Sequence, residues 1–137
     1  MKKLSFSILV SSSLIYHIYG SDYVVISNKT MPSISKTQLK AIFLKKLTIV
    51  NDMKMVPINL NPRDTLRQSF EKKILKMNFI RLKNYWSQQH YLGHRPPLNL
   101  HSQESVKAFV KKVDGAIGYI DAKNIDNELK ELYRWSR

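Results

Sequence analysis

Short runs of β-branched residues alternate along this chain with longer segments whose apolar positions recur every three or four residues, and that alternation restricts the fold to strands followed by amphipathic helices. Tyr23-Val24-Val25-Ile26-Ser27, closed by Asn28, reads as a buried strand. Ser35 and Gln38 form a capping-box pair ahead of Leu39, Ile42 and Phe43, with Lys45 and Lys46 suiting the C-terminal end of that helix. Met55–Leu60 is a second strand, which Pro57 pushes toward a sheet edge or a strand start because it has no N–H to donate. After the turn Asn61-Pro62-Arg63-Asp64, Thr65 and Gln68 form a second capping box, and Leu66, Phe70 and Ile74 recur at i, i+4 and i+8. Phe79, Leu82 and Trp86 mark a further helix that ends near Gly93, before the stiff Arg95-Pro96-Pro97 link. Ser102 caps the next, with Val106, Phe109, Val110 and Val113 as its apolar face. The tail after Asp121 is expected to close the domain with a helix through Leu129, Leu132 and Tyr133.

This order predicts an α/β domain with a largely parallel sheet and helices on both faces. Ligands of such folds sit at the loops leaving the carboxyl ends of the strands, here expected at Asn28–Ser35 and Asn61–Thr65. The chain of 137 residues has a formal charge of +13 and no cysteine, so no disulfide or thiolate site is available. The charge favours an anionic partner, although a lysine-rich surface that simply stays soluble has the same composition. Lys2 and Lys3 precede the charge-free stretch Leu4–Tyr16 and then Gly20-Ser21, the order of a secretory signal peptide. Residues 1–20 are therefore read as a signal, cleaved after Gly20 or retained as an anchor, and residues 21–137 as a single domain. The expected location is the periplasm, with no stable membrane insertion after cleavage, and export demotes nucleic acid as a partner.

His90 and His94 are spaced i, i+4 and His101 follows, yet Gly93 and the prolines end the helix where a shared metal-binding face would have to form. No metal, cofactor or catalytic residue is assigned, since no nucleophile motif or Gly-rich nucleotide loop is present, and the chain is read as a non-enzyme. In Asp114-Gly115-Ala116-Ile117-Gly118-Tyr119-Ile120-Asp121, Gly115 suits a left-handed turn after a helix, and Gly118 leaves room for close approach inside a buried strand. A plain helix-to-strand turn has the same pattern.

Several elements, taken in order, resemble the second lobe of the phosphate-type substrate-binding proteins of ABC transporters, in the type II periplasmic-binding-protein family. They are the strand into Asn28, the helix Thr37-Gln38-Leu39-Lys40-Ala41-Ile42-Phe43, the strand before Asn59, Arg67-x-x-Phe70, Tyr85-Trp86 and Gly115–Tyr119. The resemblance covers roughly Tyr23–Asp121 and implies one lobe of that fold. Its implied role is capture of phosphate or a similar small oxyanion for ABC-type uptake or sensing, with a transporter or envelope sensor protein as partner. Ser27 and Asn28, after the first strand, and Thr65 and Arg67, at the start of the second helix, are the implied ligand-binding residues.

This sequence departs from the pattern at several points. Family members that hold phosphate usually carry a Ser-Gly-Thr loop where this chain reads Asp64-Thr65-Leu66, which puts a carboxylate beside the anion site. Lys45 replaces a glycine often found after Ile-Phe-x, and the length allows one lobe where the family has two. The alternative is an envelope protein-interaction module with a vestigial ligand site.

Overall fold

The computed structural model describes Asp22–Arg137 and, before them, only Lys3. Its five-stranded sheet has the order β5-β4-β6-β1-β7, formed by β1 (Asp22–Ser27), β4 (Val56–Leu60), β5 (Leu98–Leu100), β6 (Ala116–Asp121) and β7 (Lys130–Ser136). β4 pairs in parallel with β5 and with β6, and β1 runs antiparallel to β6 and β7. Four of the five strands therefore point the same way, with β1 alone opposed, so the sheet is mostly parallel in direction. A two-stranded hairpin of β2 (Ile49–Val50) and β3 (Met53–Lys54) precedes β4.

Helices cover both faces. β6 shows why: its side chains alternate across the sheet. Tyr119 packs on Phe43 of α1 (Lys36–Phe43) and stacks on Phe70 of α2 (Thr65–Phe70), with ring centroids 4.3 Å apart in the second pair. Gly118 faces the other way, against Val106 and Val110 of α4 (Gln103–Lys112). A Cβ on Gly118 would stand 2.4 Å from Val106 Cγ1, so the missing side chain is what lets α4 seat on the sheet. Gly115 has φ +84°, and a Cβ there would meet the Lys54 carbonyl oxygen; its own carbonyl accepts from Val56 N–H at 2.8 Å. Both glycines thus have a geometric necessity behind them.

Local signals place most helix starts. The Ser35–Gln38 capping box is present in full, Asn78 caps α3 (Phe79–Tyr91), and Ser102 caps α4. α2 differs from expectation: its cap is Asp64, whose carboxylate accepts from Leu66 N–H at 2.8 Å, so Thr65 is the first helical residue and no Thr65–Gln68 capping box forms. Aspartate is as good a cap as threonine or better, and it stands one residue earlier. α2 runs on into a π-helical turn, Glu71–Leu75, that ends at the left-handed Lys76. Pro57 lies at a strand start inside the sheet, opposite Ile117 of β6 and one residue before β5 begins to pair at Ile58.

The expected C-terminal helix is instead β7. Tyr133 and Trp135 face Val25 and Tyr23 across the ladder, and a register slip between Val25 and Ile26 leaves Leu132 as a bulge. The free edge of β1 would otherwise expose a row of unpaired backbone groups, and an aromatic, alternating segment satisfies it better than a helix. No helix among the described residues is long and apolar enough to cross a membrane.

Candidate functional site

The register decides which loops share an end of the sheet. Ile26 lies opposite Gly118 and Val56 opposite Ala116, so the C-terminal end of β1 sits beside the start of β4. Because β1 is antiparallel, Asn28–Ser35 opens at the opposite end from Asn61–Thr65, roughly 13 Å away at the rise of four strand residues. The expectation of two ligand loops on one edge came from treating β1 as parallel, and the structure corrects it.

Ser27 and Asn28 are buried at that far end, and their polar atoms are engaged internally. The Ser27 hydroxyl donates to the Asn28 carbonyl at 2.9 Å, and Asn28 Nδ2 donates to Asp114 Oδ1 at 2.8 Å. Asn28 Oδ1 accepts from Thr30 N–H at 3.1 Å and from its hydroxyl, which closes a polar knot between the β1 exit and the turn before β6.

At the other end stand the C-terminal ends of β4, β5 and β6. Thr65 is exposed on the first turn of α2. Arg67 lies two residues on, about 200° round the helix, and points inward. Its Nη1 donates to the Leu60 carbonyl at 2.8 Å and to Asn99 Oδ1 at 3.1 Å, tying the end of β4 to β5, and its Nε donates to Glu71 Oε1 at 3.2 Å. The structure thus brings none of the four sequence-expected residues together around one point: two lie at the far end, and the other two face different ways.

Sequence reasoning missed a polar cluster beneath Arg67. The Tyr119 hydroxyl accepts from Leu60 N–H at 3.2 Å and donates to Asn59 Oδ1 at 2.9 Å, deep in the core. Burial pushes the phenol well above its ordinary pKa, so it remains a donor across the physiological range. The Arg67 and Glu71 side chains are only 15% and 18% exposed; burial raises the Glu71 carboxyl above its usual range and Arg67 pulls it back in part. The i, i+4 spacing of Arg67 and Glu71 was a readable signal for this pair. The pairing of Tyr119 with Asn59 spans the sheet and left no local trace.

A concavity of about 300 Å³ opens between α1 and α3, and two more lie along α2. One, of about 210 Å³, is lined by Asn59, Arg67, Glu71, Phe79, Lys83 and Trp86 among others. A larger groove of about 920 Å³ runs along α2 and the π-helical turn to the end of β7, with Lys36, Lys72, Lys73 and Lys76 beside Tyr133 and Trp135. Among the described residues no three His, Asp or Glu groups converge to hold a metal ion. His94 is instead in contact with Gln89, Nδ1 to Oε1 at 2.7 Å.

No family model matches the chain, and no curated protein matches it. Solved structures do. An ABC-type phosphate transport receptor from Vibrio cholerae superposes with a TM-score of 0.64 at 17% identity, over 82% of this chain and 46% of the receptor. A protein assigned as a phosphate ABC transporter substrate-binding protein, from Clostridium perfringens and with bound phosphate, gives 0.65 at 19%, over 82% of this chain and 45% of its own. The chain spans less than half the length of these structures. At such identity the likeness establishes architecture: this domain has the α/β fold of about half of a phosphate receptor.

Proposed function

We propose that the chain is an extracytoplasmic solute-binding domain that presents the end of β4 and the loop Asn61–Thr65 to phosphate or a similar small oxyanion, for ABC-type uptake or sensing. The observation that carries this reading is the shared fold with phosphate receptors, together with the position of Asn61–Thr65 at the carboxyl end of a parallel strand, where α/β sheets hold ligands. Thr65 supplies an exposed hydroxyl there, and Arg67 holds the end of β4 in place and adds positive charge. Residues 1–20 act as the export signal and 21–137 as the domain. The signal, Lys3 aside, lies outside the described residues.

Asp64 sets the affinity. Its carboxylate already occupies the amide of Leu66 and opposes an incoming anion, so binding is weak, with dissociation constants no tighter than the order of 0.1 mM, about 5.5 kcal/mol. Asp64→Asn keeps a capping oxygen and removes the charge; Asp64→Gly removes both, and glycine is itself a tolerated cap. Titration calorimetry with phosphate, sulfate and a phosphonate is expected to show tighter binding in both variants, with the gain shrinking as salt rises.

A second reading, an envelope interaction module with a vestigial ligand site, is favoured by the groove with four lysines and by the capping role of Asp64. Absence of heat with every anion in wild type and both variants would select it over solute binding.

A further inference from the structure

The 210 Å³ pocket between α2 and α3 combines a buried free donor, a half-spent guanidinium and an aromatic wall. Asn59 is only 8% exposed. The Tyr119 hydroxyl already accepts from Leu60 N–H, so its own proton is directed to Asn59 as an acceptor, which fixes the orientation of the amide. Asn59 lines the pocket, and its Nδ2 has no partner among the described residues. It is also not sealed from solvent, since no fully buried side-chain polar atom among those residues lacks a partner. Beside it, Arg67 spends Nε on Glu71 and Nη1 on Leu60 and Asn99, and its Nη2 has no partner among the described residues. Lys83 adds an exposed ammonium at the mouth.

The charges lining the pocket are Arg67 and Lys83 against Glu71, one net positive charge. Two N–H donors with a cation at the rim suit a monoanion that accepts through two oxygens. Phe43, Phe79, Leu82 and Trp86 supply flat apolar walls, and 210 Å³ is about seven water volumes, below the size of most drug-like pockets. A multiply charged oxyanion gains nothing from those walls and meets the Glu71 carboxylate.

We propose that this pocket binds a small monocarboxylate with a flat apolar body, its carboxylate on Asn59 Nδ2 and Arg67 Nη2 and its body against Phe79 and Trp86. This site shares Arg67 and the end of β4 with the oxyanion reading above, but it lies beneath α2 rather than at the exposed Thr65, and it takes a different chemical class.

Benzoate is the probe. The chain contains two tryptophans, so in a Trp135→Phe background Trp86 reports alone. Benzoate titrated into the purified protein is expected to change Trp86 fluorescence saturably, with half-saturation below 5 mM, and 10 mM phosphate should leave that curve in place. Asn59→Asp preserves the acceptor for Tyr119 and replaces the free donor by a carboxylate; at least a tenfold loss of benzoate affinity is expected. Lys83→Gln, an exposed change that keeps the fold, should weaken binding about twofold to fivefold, with the loss fading as salt rises. Melting curves of each variant verify that it is folded. No saturable signal in the parent, displacement by phosphate, or unchanged affinity in both folded variants would overturn the proposal. Absence of heat with phosphate, sulfate and the phosphonate in the calorimetry would refute the oxyanion reading and leave this one standing.

Discussion

Gly118→Ala tests the packing that positions α4, and its cost follows from one contact. The added methyl would lie 2.4 Å from Val106 Cγ1, with Val110 Cγ2 at 3.6 Å and Ile58 Cβ at 3.9 Å. Only the first is out of range, since carbon atoms rest about 3.5–4.0 Å apart, so roughly 1 Å of movement is required. Val106 is fully buried on a helix, where its branched side chain has essentially one rotamer, so the movement falls on α4 itself. Overpacking of this kind costs about 1–3 kcal/mol, and a rigid neighbour places Gly118→Ala near 2–3 kcal/mol. Val106→Ala alone removes two buried methyl groups and should cost about 2 kcal/mol. In the double variant the new methyl occupies the space vacated by the old ones. The pair should therefore lose only about 2 kcal/mol, for a coupling energy of roughly 2 kcal/mol. Urea unfolding followed by circular dichroism, with m-values compared across the four proteins, measures each corner of the cycle. A single variant within 0.5 kcal/mol of wild type, or strictly additive losses, would refute the assignment of Gly118 to helix seating.

Tyr119→Phe removes a hydroxyl bonded to Leu60 N–H and Asn59 Oδ1, both in the core, and should cost about 2 kcal/mol in the same urea assay; a loss under 0.5 kcal/mol would mean the network contributes nothing. Asp126 is hydrogen-bonded by Lys111 at 2.8 Å and lies 3.2 Å from Lys107, and chiefly the Lys111 bond holds its carboxyl down to about 2. A depressed carboxylate stabilises the fold above its unfolded pKa near 3.8, and that stability drains away as pH falls toward 2. Thermal melts between pH 5 and 2 should thus show a shallower acid decline in Asp126→Asn than in wild type, and parallel curves would remove Asp126 from the acid response.

Features carried by neighbouring residues were readable from the chain. The Ser35–Gln38 box, the Ser102 cap and the Val106–Val110 stripe each depend on contacts within one helical turn or two, and each stands where periodicity puts it. Gly115 was readable as a left-handed turn and Gly118 as a position needing room, but the Lys54 carbonyl that crowds Gly115 lies far away in sequence. The direction of β1 and the strand character of Lys130–Ser136 depend on each other and on β6, and no local pattern encodes a pairing across the whole domain. The grouping of the expected site residues was not legible for the same reason: Ser27 and Asn28 share an end of the sheet with Thr65 only if β1 is parallel. At Asp64 the difficulty was local, since two eligible caps stand side by side and the chain uses the first.

The place of β1 between β6 and β7 also governs when the domain is able to fold. β1 hydrogen-bonds on both sides to β6 and β7, so its two ladders close only after Lys130–Ser136 has been made. Contacts of such long range are slow to form, because the entropy of closing the loop comes before any stabilising contact. Until β6 and β7 are made, Tyr23–Ser27 has no ladder to join. A circular permutant that joins β7 to β1 through a short turn would lose that delay, since β7 and β1 would then be neighbours in a hairpin.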